Sequence, residues 1–114
     1  MDYGLRLTSP SEVPSDPRAA CPDGWRDLLP EGRTVALYFG SEFCEDRLPD
    51  PAEAKAWCEA AHDRGVEATL ATPLVSPEGL RSVERLLDGL ASAGLRPAVV
   101  FNDWGVLGLL RERH

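Results

Sequence analysis

From Thr34 onward, short β-forming runs alternate with amphipathic helical stretches, and this alternation restricts the chain to one architectural class. The run Val35-Ala36-Leu37-Tyr38-Phe39 is continuously apolar and is closed by Gly40. Such a run is the habit of a strand covered on both faces, as in parallel α/β sheets. Asp50-Pro51-Ala52-Glu53 then opens a helix. Asp50 can cap it, Pro51 suits its first turn, and Glu53 can reach back as in a capping box. Ala54, Trp57, Cys58 and Ala61 have the i, i+3, i+4, i+7 spacing of a buried helical face, and Gly65 accepts the left-handed conformation that ends a helix. The cycle then repeats. Val66 to Thr72 reads as a strand halted by Pro73, and Ser76-Pro77 opens a second helix. Its apolar stripe is Leu80, Val83, Leu87, Leu90 and Ala91, and Gly94 closes it. Pro97 to Phe101 is a further short strand, after which Asn102 or Asp103 caps a last helix containing Val106, Leu107, Leu109 and Leu110.

Helices between successive strands imply right-handed crossovers and a parallel sheet. The expected fold is therefore α/β, with three to four parallel strands alternating with helices in a small open sheet or a fragment of a (β/α) barrel. Residues 34–114 form the βαβαβα domain, and 1–33 an irregular, proline-rich N-terminal segment of the same single domain. Gly4 to Thr8 is a candidate first strand. Pro10, Pro14, Pro17, Pro22 and Pro30 then break regular structure, although Asp23 to Leu29 can form a helical turn that docks Trp25, Leu28 and Leu29 on the sheet.

Composition narrows the function classes. A chain of 114 residues with 43% hydrophobic content has room for one small core. No run approaches the ~18 apolar residues of a membrane span. The start Met1-Asp2-Tyr3-Gly4 lacks the basic and apolar regions of a signal peptide, so a cytoplasmic location is expected. A net charge of −7, with basic residues scattered singly among acids, argues against nucleic acid as a partner. Cys21, Cys44 and Cys58 form no CxxC or other zinc spacing, and their odd number argues against a disulfide framework.

In a parallel sheet the carboxyl ends of the strands collect ligand-binding and catalytic groups. Here that edge gathers Ser9, Ser41 to Asp46, Thr72, and Asn102-Asp103. Glu42 and Asp103 are the candidate catalytic carboxylates, and Ser41, Asn102 and Asp103 the candidate ligand-binding groups. Asp46, Asp50 and Asp103 read more simply as helix caps or solvated loop charges. Cys44, at a strand end ahead of a helix, is the candidate metal ligand or nucleophile. The acids around it, Glu42, Glu45 and Asp46, favour metal coordination over a free thiolate. It reads equally as a small buried hydrophobe. Cys58 belongs to the core, Cys21 reads as incidental, and His62 suits the negative end of its helix. There is no Ser/His/Asp ordering, phosphate-binding glycine loop or HExxH, and Gly105 and Gly108 lack the strand context of a dinucleotide site.

Taken in order, "LYFGSEFCEDR", "AAHDRGVEATLATPLVSPEGL" and "VVFNDWGVLGLLRE" resemble the N-terminal half of the U32 peptidase-like family. The matching motifs are the glycine turn at Tyr38 to Gly40, the Ala-His-x-x-Gly segment at Ala61 to Gly65, and Asp103 to Leu107. The cysteine after the glycine turn is most similar to the branch that supports oxygen-independent ubiquinone hydroxylation. The resemblance, over about residues 34 to 112, implies half of a (β/α) TIM-type barrel and, in that branch, a [4Fe-4S] cluster. Cys44 matches the first cluster cysteine. The other ligands would come from outside this chain.

A half barrel leaves two open sheet edges, and open edges invite pairing. Self-association, or a partner that completes the sheet, is therefore expected. Three functions follow from these readings. The first is a partial barrel within an iron-sulfur or other cofactor-dependent protein, the second a non-catalytic module that binds a partner or ligand, and the third peptide hydrolysis.

Overall fold

The computed structural model describes residues 2–6, 9–12 and 33–113. Among them four strands form one sheet: β1 (Asp2–Arg6), β2 (Arg33–Gly40), β3 (Glu67–Ala71) and β4 (Ala98–Val100). Their spatial order is β1-β2-β3-β4, and each neighbouring pair is parallel. Helix α1 (Pro51–Asp63) joins β2 to β3, α2 (Pro77–Ser92) joins β3 to β4, and α3 (Trp104–Arg113) follows β4. The protein is thus an α/β domain with a parallel sheet, as the alternation predicts. Cys21, His114 and the helical turn expected at Asp23 to Leu29 lie outside the described residues.

The first strand begins earlier than Gly4. Its Asp2 pairs with Arg33 and its Arg6 with Tyr38, with an irregularity between Tyr3 and Gly4. Register against β2 sets these bounds, and local propensity carries no information about it.

Both helices between strands are built to one plan. Asp50 Oδ1 accepts from Glu53 N at 2.8 Å, and Ser76 Oγ accepts from Gly79 N at 3.1 Å, each cap followed by proline. The C-terminal ends also match. Gly65 (φ 66°) and Gly94 (φ 75°) follow the helices, with Val66 N donating to Ala61 O at 3.1 Å and Leu95 N to Leu90 O at 2.9 Å. This is the Schellman arrangement, which satisfies terminal carbonyls and turns the chain back toward the sheet.

Alternation along the strands separates two faces. Leu37, Phe39 and Leu70 point to the helices and are at most 1% exposed. They share one cluster with Ala54, Trp57, Cys58 and Ala61 of α1, Val83, Leu86, Leu87 and Leu90 of α2, and Val106 of α3. Phe39 stacks on Trp57 with ring centroids 6.0 Å apart. The α2 stripe differs from its expected membership in one respect: Leu86 is buried, whereas Leu80 and Ala91 are only half-buried. By the same alternation the opposite face carries Ala36, Tyr38 and Gly40 of β2, Glu67, Thr69 and Ala71 of β3, and Ala98 and Val100 of β4.

Gly40 is required where it stands. Its φ is 92°, and a Cβ there would strike the Ala71 carbonyl oxygen and Leu70 Cδ1. Beyond it Ser41 N still donates to Ala71 O at 3.0 Å, so β2 and β3 stay together to the start of the loop.

Candidate functional site

Three loops meet at the carboxyl edge of the sheet: 41–50 after β2, 72–76 after β3 and 101–103 after β4. Each has a folding task that consumes polar groups. Ser41, 5% exposed, accepts from Cys44 N at 3.0 Å and Phe43 N at 3.4 Å, which folds the chain sharply after Gly40. A single 3-10 turn, Glu45–Arg47, follows. Thr72 is fully buried, and its N and Oγ1 both donate to Val100 O, at 2.9 and 3.2 Å. Thr72 therefore extends the β3–β4 pairing and offers nothing to a ligand.

Two carboxylates stitch the loops together. Glu45 reaches from the first loop to the start of α2, where its Oε2 accepts from Ser76 N at 2.7 Å and its Oε1 from Ser76 Oγ at 2.8 Å. A negative charge is favoured there, because the first helical N–H groups carry partial positive charge. Gly79 makes room for it, since a Cβ at that position would overlap the Glu45 carboxylate. Asp103 performs a similar task one loop further on. Its Oδ2 accepts from Val75 N at 3.2 Å, and its Oδ1 from Gly105 N at 2.7 Å and Val106 N at 3.4 Å. Asp103 rather than Asn102 is thus the cap of α3. The Val75 bond foremost, with those from Gly105 and Val106, outweighs partial burial and holds its carboxyl below the ordinary 3.8. An acid so engaged is a persistent carboxylate and a poor proton carrier near neutrality.

The expected site residues therefore separate. Ser41 and Asp103 have structural partners. Among the described residues no hydrogen bond engages the side chains of Glu42 or Asn102. Glu42 is half-buried and Asn102 exposed. Cys44 is half-buried with a free thiol. Cys58 lies in the core at 6% exposure, where burial, and secondarily the Glu59 charge, push its thiol pKa up to about 11. Among the described residues, no three His, Cys, Asp or Glu side chains are placed to hold one metal ion. Cys44 can therefore be one ligand in a shared site, and the described part of the chain does not itself furnish a cluster's ligand set.

One feature escaped the sequence reading. Phe43 (91% exposed) and Leu74 (72%), on the loops after β2 and β3, and Trp104 (85%), the first residue of α3, stand out from this edge, with Phe101 (38%) near Trp104. Phe101, Asn102, Asp103 and Trp104 border a small cleft of about 240 Å³. Part of the signal was present: Phe43 and Leu74 fall between elements, where neither strand nor helix periodicity accounts for them. No described helix is long and apolar enough to cross a membrane. Comparison with protein-family models, with curated proteins and with solved structures gives no match.

Proposed function

We propose that this domain is a U32 peptidase-like partial barrel that works as a partner-binding part of a larger assembly, with no complete active site of its own. The exposed row Phe43, Leu74 and Trp104 carries this reading. Three large apolar side chains, two on adjacent loops and one at the start of α3, beside carboxylates already engaged in the fold, suit a surface that is buried against another protein. The sequential, all-parallel strand order supports the barrel likeness, because it is the winding by which such barrels grow. A partner captured by the wild-type chain should be lost by the triple variant Phe43→Ser, Leu74→Ser, Trp104→Ser and kept by Cys44→Ala. Undiminished capture by the triple variant would remove the basis for this function.

A second reading rests on the contrast between the two described thiols. Cys44 is free and half-buried at the edge, while Cys58 is sealed in the core. In this reading Cys44 is one ligand of an iron-sulfur cluster whose remaining ligands belong to the rest of the assembly. Anaerobic reconstitution with iron and sulfide then gives a visible absorption band that disappears in Cys44→Ala and persists in Cys58→Ala. A band that survives Cys44→Ala rules this reading out. Peptide hydrolysis has no comparable support.

A further inference from the structure

We infer that the partner docked at this edge is a basic protein segment, one of whose arginine side chains enters the cleft bordered by Phe101, Asn102, Asp103 and Trp104. The inference rests on the partner-binding reading and names the chemistry of that partner.

The cleft supplies the first argument. At about 240 Å³ it lies below the roughly 300 Å³ at which small-molecule pockets begin, and it suits one long side chain. Two of the residues that border it are aromatic. Among the described residues neither the Phe101 ring nor the exposed Trp104 ring stacks on another. Aromatic faces carry partial negative charge and attract a cation, tryptophan most strongly. The other two residues bring acceptors. The Asn102 side chain has no hydrogen-bond partner among the described residues. The Asp103 carboxylate has about four acceptor sites, and Val75 N, Gly105 N and Val106 N take three, which leaves one on Oδ2. Those same bonds keep the group ionised, so capping occupies its lone pairs without removing its charge.

These acceptors decide between a basic and a purely apolar occupant. An apolar surface laid over the cleft would strip water from Asn102 and Asp103 and return no donor. Arginine meets both demands at once. Its planar guanidinium can lie on an aromatic face while its N–H groups reach a carboxylate or amide oxygen at the ring's edge. A lysine ammonium is a point charge without that flat face.

The charge of the surrounding edge points the same way. Residues 41–50, 72–76 and 101–104 contain the acids Glu42, Glu45, Asp46, Asp50 and Asp103 against a single base, Arg47. Glu53 and Glu78, in the first turns of α1 and α2, add to them. At the opposite end of the sheet, residues 62–67 and 93–97 are balanced, with Asp63 and Glu67 against Arg64 and Arg96. An acidic field at the loop end attracts a basic partner and turns away an acidic one. The loops are also held together here. The 3.2 Å bond from Val75 to Asp103 sets Leu74 near the cleft, and the Glu45–Ser76 bonds hold the Phe43 loop alongside. Apolar residues flanking the partner's arginine can rest on this row while the arginine fills the cleft.

Two peptides test the assignment on the purified chain. One is acetyl-Leu-Ser-Arg-Ser-Leu-amide, and the other replaces arginine with citrulline, which keeps the shape and removes the charge. Binding is followed by NMR through the backbone amide shifts of residues 101–106. The arginine peptide should bind about tenfold more tightly, from roughly threefold each for the aromatic faces and the carboxylate. Trp104→Leu, and Asp103→Asn with its capping oxygen retained, should each cut that preference about threefold. Equal binding of the two peptides would overturn the inference, as would no shift at 101–106 with either. So would a preference that both Trp104→Leu and Asp103→Asn leave intact. A partner lost by the triple loop variant, yet held by the wild type with unchanged affinity in about 0.5 M salt, would overturn it while upholding the partner-binding reading. Undiminished capture by the triple variant sinks that reading, whereas the peptide preference, measured without any partner, reports on the cleft alone.

Discussion

The Glu45–Ser76 contact makes a quantitative prediction because a glycine was left in a helix to accommodate it. Glu45 accepts two hydrogen bonds at the start of α2, at 2.7 and 2.8 Å. Ser76 is exposed, so water replaces much of what Glu45→Ala removes, and the loss should be about 1–1.5 kcal/mol. Gly79 lies in the first turn of α2, where alanine would ordinarily gain roughly 0.5–1 kcal/mol. In the wild type an alanine Cβ collides with the Glu45 carboxylate, which must swing away and abandon Ser76. Gly79→Ala alone should therefore be mildly destabilising, by about 0.5 kcal/mol after the propensity gain. Once Glu45 is alanine the same substitution should turn neutral or stabilising. The residual crowding is a 3.0 Å approach to Val75 Cβ, which takes back part of the gain. The double variant should then be about 1 kcal/mol more stable than the sum of the single effects. Urea unfolding followed by circular dichroism measures all four corners of this cycle. Single effects that add to within ~0.3 kcal/mol would show that the carboxylate and the glycine are energetically independent.

Gly40→Ala should cost roughly 3 kcal/mol in urea unfolding, since it combines a strained positive φ with a collision against the backbone of β3. Asp103→Ala should cost about 1–2 kcal/mol, as loss of a helix cap does. Its acid dependence has a definite sign. Because the folded carboxyl titrates below 3.8, its contribution is present above that pH and fades as pH falls through the lowered value. Asp103→Asn should therefore flatten the stability profile in that acidic window and leave its shape near neutrality unchanged. In a Cys21→Ser background, a thiol reagent at pH 8 should label Cys44 in the folded protein and reach Cys58 only on unfolding.

What the sequence made legible was whatever leaves a local signature. The Asp50-Pro51 and Ser76-Pro77 caps, the Gly65 and Gly94 stops and the apolar run at Val35 to Phe39 each depend on a few neighbouring residues, and all lie where they were read. The bounds of β1 were not legible, because pairing with a strand about thirty residues away sets them. Asp103 was one of two caps read for the last helix, but the contacts by which Glu45 and Asp103 also brace a neighbouring loop were hidden for the same reason. Their partners are 31 and 28 positions distant, and no local pattern distinguishes a carboxylate that braces another loop from one that waits for substrate.

This bears on how a strand-to-helix edge should be searched for function. Every helix that leaves a parallel sheet needs acceptors for its first N–H groups, so Ser and Asp gather at the same edge where active sites form. Their convergence is expected even in a domain without chemistry. Only groups surplus to that need discriminate among functions. Here Asp50, Ser76, Glu45, Asp103 and Ser41 are already engaged, and the surplus is Glu42, Cys44, Asn102 and the apolar row of Phe43, Leu74 and Trp104. Phe43, Leu74 and Trp104 stay exposed at that edge with no task in the fold, so they are the side chains whose replacement most directly tests a partner-binding role.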